Sequence, residues 1–151
     1  MPASAVTNES IDIIRTLTSD VWNGRDYDRL SEFQTKDYVQ HGPFNGMELH
    51  GSDEVADSIR MYHEAFSDLE MTEEIVFSDE SGEYVCGLWT GRGTNDGELM
   101  GIPATDQEVE ITSLGIYHVE DGHVTEGWVL ADIIDLFQQL GIEPDMETLA
   151  A

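Results

Sequence analysis

The spacing of apolar residues changes once along the chain, from a helical period to a period of two near Leu69, which predicts helices first and a meander of strands afterwards. In residues 10–23, Ile11, Ile14, Leu17, Val21 and Trp22 share one helical face and Gly24 ends the run, so an amphipathic helix is expected. A short second helix is expected over residues 27–33. Tyr38-Val39-Gln40-His41-Gly42-Pro43 reads as extended chain entering a loop that continues through residues 46–51. Ser52-Asp53-Glu54-Val55 is a helix start, and Val55, Ile59, Tyr62 and Phe66 mark the buried stripe of a third helix.

Strands are expected over residues 69–78, 83–94, 98–100, 108–119 and 123–132, with turns at Glu80-Ser81-Gly82 and Asp121-Gly122. A last helix over 133–140 stops at Gly141, and residues 1–9 and 145–151 are expected as loose ends. Helices followed by a meander describe an α+β domain, with helices on one face of a curved, mostly antiparallel sheet. A length of 151 residues suits a single domain with one core.

The last hairpin has a definite expected register. If Asp121-Gly122 is a two-residue turn, Glu120 pairs with His123, and counting back sets Gly115 opposite Trp128, Ser113 opposite Leu130 and Ile111 opposite Asp132. Period two then places Trp128, Leu130 and Asp132 on one face, with Gly115 leaving room for the indole. Leu114, Ile116, Val129 and Ala131 fall on the other face. Both faces are apolar, so both should be covered, one by the chain's own helices and the other by a second subunit.

Charge changes the picture of the surface more than of the fold. There are 32 Asp and Glu against 6 Lys and Arg, with Lys36 the single lysine, giving a net charge of −26 alongside 40% hydrophobic residues. Aliphatic and aromatic residues recur between the acids, unlike the blocks of a disordered acidic tail. Such charge repels itself in dilute buffer, and salt near 1 M, with a Debye length of about 3 Å, removes most of that repulsion. The even spread of acids fits a solvated shell on a salt-adapted protein better than a mimic of nucleic acid or a basic-partner-binding tail. Nucleic-acid binding is excluded, because nothing here neutralises phosphates. Cys86 alone forms no internal disulfide, and no Cys/His set has zinc spacing. With no signal-peptide pattern and no apolar run long enough to span a bilayer, a cytoplasmic protein is expected, without membrane contact.

Phosphate loops, nucleophile elbows, HExxH and dinucleotide fingerprints are absent. The candidate chemistry is therefore a set of polar residues in apolar surroundings. Asp132, within Trp128-Val129-Leu130-Ala131-Asp132-Ile133-Ile134, has the least surface-like context of the acids. Facing a cavity, its carboxyl would have a raised pKa suited to acid/base work; preceding a helix, it would equally serve as the N-cap. His41, before Gly42-Pro43, is placed either over a pocket mouth or in an ordinary loop, and His63 reads as a packed histidine. Trp89, Trp128, Tyr62, Tyr117 and Phe66 are core residues that also suit the walls of a ligand cavity.

Several segments together resemble the SnoaL-like polyketide cyclases, the ester cyclases of the nuclear-transport-factor-two-like superfamily. They are Tyr38-Val39-Gln40-His41, Ala65-Phe66-Ser67-Asp68-Leu69, the run from Trp89 to Thr105, Val124-Thr125-Glu126-Gly127-Trp128-Val129-Leu130-Ala131-Asp132, and Gln139-Leu140-Gly141. The resemblance implies a cone-shaped α+β barrel, its bent sheet wrapped around the helices and enclosing an apolar pocket. It also implies a cofactor-free and metal-free intramolecular aldol closure of a polyketide ester, with Asp132 as acid/base. His41 would be its hydrogen-bonding partner, with Phe66, Tyr62, Trp89, Trp128, Asn95 and Ser113 contacting substrate. The chain departs from the family at Ser67 (usually Pro), Asn95 (usually His), Ala104 (usually Pro) and Asp106 (usually Gly). The rival expectations are a non-catalytic small-molecule-binding domain, and a hydrolase or dehydratase using an Asp-His pair.

Overall fold

In a computed structural model that describes residues 2–44 and 46–142, three helices precede the long strand meander as the periodicity predicts, with two strands set between the second and third helices. Helix α1 (Pro2–Thr16) continues as a π-helical stretch, Leu17–Asn23, and is followed by α2 (Arg29–Phe33), β1 (Gln34–His41), β2 (Glu48–His50) and α3 (Gly51–Ala65). The meander is β3 (Glu70–Ser78), β4 (Tyr84–Thr94), β5 (Glu108–Glu120) and β6 (His123–Ala131), and α4 (Ile133–Gln139) closes it. The six strands form one open sheet in the order β2-β1-β6-β5-β4-β3. Every neighbouring pair is antiparallel except β1 and β6, which run parallel. The fold is thus the expected α+β cone, with the sheet left unclosed.

One core joins helices to sheet. Ile13, Ile14 and Val21 from the first helix, Leu30 from α2 and Val55 and Ile59 from α3 pack with Tyr38, Val85, Trp89, Val119 and Val124. A second cluster at the far end gathers Phe66, Leu69, Leu99, Val109, Leu136 and Leu140 under α4.

Differences from the expected elements have local causes. The first helix begins at Pro2, so most of the stretch expected to be loose is helical; the expected loose tail, 145–151, lies outside the described residues. Part of the loop expected at 46–51 is the edge strand β2, three residues long and too short to show an alternation. The strand expected at 98–100 is instead a tight turn in which Leu99 and Ile102 exchange backbone hydrogen bonds of 2.9 and 2.8 Å around Met100 and Gly101, both at positive φ. Ser52 does not cap α3; its hydroxyl donates to Gln34 Oε1 at 3.0 Å.

The last hairpin departs from the expected register by one residue. Glu120 pairs with His123 and Val119 with Val124 as counted, but His118 then pairs with Glu126, leaving Thr125 as a bulge. Beyond it Ile116 faces Trp128, Gly115 faces Val129 and Ser113 faces Ala131. Leu114 and Ile116 therefore share a face with Leu130 and Trp128. A glycine does make room for an indole, but it is Gly87, whose added Cβ would lie 2.1 Å from Trp89 Cη2.

The sheet consequently has two apolar faces. The inner one carries Val85, Gly87 and Trp89 on β4, Ser113, Gly115 and Tyr117 on β5, and Val129 and Ala131 on β6, under the helices. On the outer face the register aligns two rows across the strands: Phe77, Cys86, Ile116 and Trp128, and beside it Ile75, Leu88, Leu114 and Leu130. Within these rows Phe77 is 57% and Leu130 63% exposed, and none of the helices among the described residues covers them.

Candidate active site

A cavity of about 140 Å³ lies between the first helix with its π-helical extension, α3, and the inner face of the sheet. The π-helical stretch contributes Leu17, Thr18, Val21 and Trp22 to its wall. Ser58, Ile59 and Tyr62 from α3 form one side, and Trp89, Ser113, Gly115, Tyr117 and Val129 form the floor. Gly87 and Gly115 face each other across β4 and β5; the Trp89 indole lies over the first and the Tyr117 ring over the second. The two rings meet edge to face at 6.4 Å.

Among the described residues the wall carries no Asp, Glu, His, Lys or Arg. Its ionisable groups are two phenols: burial pushes Tyr117 up to about 12 and Tyr62 upward as well, so both remain neutral hydrogen-bond donors. Behind the wall, burial raises Tyr38 strongly, with Tyr117 and Glu126 adding to it. No group of three or more His, Cys, Asp or Glu among the described residues is gathered closely enough to hold a metal ion.

Of the residues expected in the site, Tyr62, Trp89 and Ser113 line the cavity and the others do not. Asp132 was expected to face inward. It is exposed, and one carboxylate oxygen accepts the Asp135 amide at 3.1 Å, capping α4. Its chain neighbours Ala131 and Ile133 do reach the wall, so the carboxylate stands beside the cavity rather than in it. Trp128 lies on the outer face, 38% exposed, stacked on His41 with ring centroids 5.6 Å apart. The expected His41–Asp132 pair is not formed: His41 Nε2 lies 2.6 Å from Glu126 Oε2. Because His41 is level with Trp128 in the parallel pairing, Asp132 lies four residues further on, about 13 Å along the strand.

Phe66 and Asn95 are wholly buried away from the cavity. Phe66 belongs to the second core cluster. Asn95 ties a loop together, donating to the carbonyls of Ala65 and Gly97 and accepting from the Thr105 amide and hydroxyl through Oδ1.

The sequence profile of the SnoaL-like polyketide cyclases matches residues 12–140. The chain belongs to that family. Two curated relatives named aklanonic acid methyl ester cyclase, DauD of Streptomyces sp. (strain C5) and DnrD of Streptomyces peucetius, are each 26% identical over 132 residues. The match spans 87% of this chain and 81% and 90% of theirs. Among solved structures, a candidate SnoaL-like polyketide cyclase from Jannaschia sp. CCS1 superposes with a TM-score of 0.81 at 21% identity, covering 91% of this chain and 94% of that one. IdmH of Streptomyces antibioticus superposes at 0.75 with 26% identity, covering 88% and 99%.

This SnoaL-like protein keeps left-handed backbone where the family usually has glycine. Asp106 has φ +57°, a conformation that Asp tolerates better than most side chains, and its amide donates to the Asn95 carbonyl at 2.9 Å.

Gln34, Gln40, Trp22 and Tyr117 also line the cavity; Tyr117 is among the aromatics expected to suit a cavity wall, Trp22 is expected only on the buried stripe of the first helix, and the two glutamines carry no expectation. Tyr38 and Gln40 are two apart on β1 and so share a face, which is the signal in the sequence that could have placed Gln40 inward beside a buried tyrosine. His63, read as packed, is 5% exposed and holds the π-helical stretch against α3. Its Nε2–H donates to the Trp22 carbonyl at 2.8 Å, so Nδ1 accepts the Tyr27 hydroxyl at 2.6 Å. Burial lowers its pKa; the Trp22 carbonyl works against that and Arg25 with it. A lowered folded pKa means the unfolded chain takes up the proton first, so this contribution is complete above about pH 6.5 and is lost as pH falls from there. Thermal melts from pH 7.5 to 5.5 should show wild type losing stability relative to His63→Gln, the paired comparison removing the background of titrating carboxylates.

Proposed function

We propose that the chain is a cofactor-independent polyketide cyclase that closes a ring in a small, largely apolar keto ester by intramolecular aldol chemistry. The observation that carries this reading is the uncharged cavity on the inner face, whose apolar wall folds a flexible ester chain while a few donors fix its oxygens. In the reaction a proton leaves the carbon between two carbonyls, that carbon bonds to a ketone carbon, and the new alkoxide takes up a proton, so the product has the substrate's mass. Asp132 acts as the acid/base from the rim, using the carboxylate oxygen that does not cap α4. Incubating the purified chain with aklanonic acid methyl ester, without added metal or cofactor, should yield an isomer of equal mass and shorter retention on reversed-phase chromatography. Binding of the ester with no isomer formed over hours would favour the second reading, a non-catalytic binding domain, which the lack of carboxylate or imidazole in the wall supports.

Two properties accompany this function. The chain works as a homodimer joined through the outer sheet face, and in a salt-rich cytoplasm, where its net charge of −26 is screened. A second copy is the partner that fits the outer face, because the two aligned rows from Phe77 to Trp128 and from Ile75 to Leu130 carry no charge in a chain otherwise covered with acids.

A further inference from the structure

Gln139-Leu140-Gly141 is one of the segments that resemble the family, yet it ends α4 and does not line the cavity. Strand β6 stops at Ala131, opposite Ser113, and the next ladder bond is donated by the Asp132 amide to the Thr112 carbonyl at 3.0 Å. Two residues further along β5 the Glu110 backbone points to the same side, where no described strand continues. The Gln139 side chain takes the strand's place. Its carbonyl oxygen accepts the Glu110 amide and its nitrogen donates to the Glu110 carbonyl, both at 2.8 Å, the reciprocal pair that a neighbouring strand would make. The same nitrogen has a second hydrogen, which it donates to Asp135 Oδ2 at 2.7 Å. Asp135 in turn gives its amide to the Asp132 carboxylate at 3.1 Å. A continuous set of hydrogen bonds therefore joins the β5 backbone to the carboxylate at the cavity rim.

Packing alone would not hold that carboxylate still. A helix of seven residues has little stability of its own, and α4 is kept in place by burying Leu136 and Leu140 in the second core cluster. Burial is non-directional, whereas hydrogen bonds prefer narrow distances and angles, so the Gln139 bonds set how α4 sits on β5. We propose that Gln139 is a positioning residue for the ring closure, fixing α4 so that the free Asp132 oxygen is held at the rim of the cavity. It touches no substrate and acts only through Asp132. This rests on the cyclase reading, in which Asp132 is the acid/base, and adds to it the device that aims the carboxylate. A displacement of about 1 Å at a reacting group can lower the rate about 10²-fold, so a tether of this kind matters.

Gln139→Met keeps the length and helix propensity of the side chain and removes all three bonds. With aklanonic acid methyl ester it is expected to lower kcat about thirtyfold and to leave KM within about threefold, because the cavity wall is untouched. A purely structural role would show in the melting temperature and leave kcat of the folded enzyme alone. In the Asp132→Asn background the same substitution should change the residual rate less than about twofold, since Gln139 then has no carboxylate to aim. Gln139→Glu still accepts the Glu110 amide but sets a carboxylate against the Glu110 carbonyl and Asp135, and should lose kcat to a similar extent. Amide hydrogen exchange, which needs no substrate, should speed up at least about tenfold at Asp132 and Asp135 in both variants and stay unchanged at Leu114 and Leu130 within the sheet. Wild-type kcat in Gln139→Met, losses that multiply in the double variant, or unchanged exchange at Asp132 and Asp135 overturns the proposal and leaves the cyclase reading standing. A wild type that closes no ring removes the cyclase reading and this role together.

Discussion

Asp132→Asn is expected to lower turnover of the methyl ester by a factor of about 10²–10⁴ and to leave the melting temperature where it was. The pairing of those two results is what makes the variant informative. Asp132 has a structural task, accepting the Asp135 amide at the start of α4, and asparagine performs that task as well as aspartate. What asparagine cannot do is take up and return a proton. Asp132→Ala, by contrast, removes the cap too and should cost about 1 kcal/mol, or about 2–4 °C, besides the activity. If the asparagine variant closes the ring at the wild-type rate, Asp132 is a cap alone, and acceleration comes from the cavity's positioning of the chain. Because the carboxylate stands at the rim, a substrate must extend past Ala131 and Ile133 to reach it, so esters too short to do so should turn over slowly in wild type as well.

Which residues share a face was legible in the sequence; which face looks inward was not. Period two correctly grouped Trp128 with Leu130. The same period groups Leu114 with Ile116, but setting one pair against the other required the register, and the bulge at Thr125 shifted that by one. Nothing local announces Thr125 as a bulge. With both faces apolar, hydrophobicity also failed to choose between them: the exposed pair is Trp128 and Leu130, and the cavity received Val129 and Ala131.

The site residues divided along the same lines. Trp89, Tyr62 and Ser113 were found because large or small side chains at those positions suit any inner wall. Gln34 and Gln40 were missed because a buried amide looks unfavourable until its partner is known, and Ser52 and Tyr38 lie far enough away in sequence or hidden enough in the core to give no hint. Asn95 erred in the opposite direction. Its four side-chain contacts, three with backbone groups and one with the Thr105 hydroxyl, all tie down the loop that carries it, so the polarity read as ligand contact is spent within the fold.

Ile116→Asp is expected to convert the protein from dimer to monomer at every salt concentration, whereas wild type should dimerise more tightly as salt rises. Ile116 lies mid-row on the outer face, between Cys86 and Trp128, and is 40% exposed in the single chain, so the fold tolerates a carboxylate there. In a face-to-face dimer the same carboxylate is buried without a partner, on both subunits, a penalty of about 4 kcal/mol or a factor of about 10³ in the dissociation constant. Wild type faces a different obstacle: each chain carries −26, and two such shells repel. Between 0.1 M and 1 M salt the Debye length falls from about 10 Å to about 3 Å, which confines each charge to its own neighbourhood and leaves the apolar rows to act. Sedimentation equilibrium at the two salt concentrations reads both effects. A wild type that stays monomeric in 1 M salt would mean that the outer face is covered by something other than its own copy, and the acidic shell would then have no part in assembly.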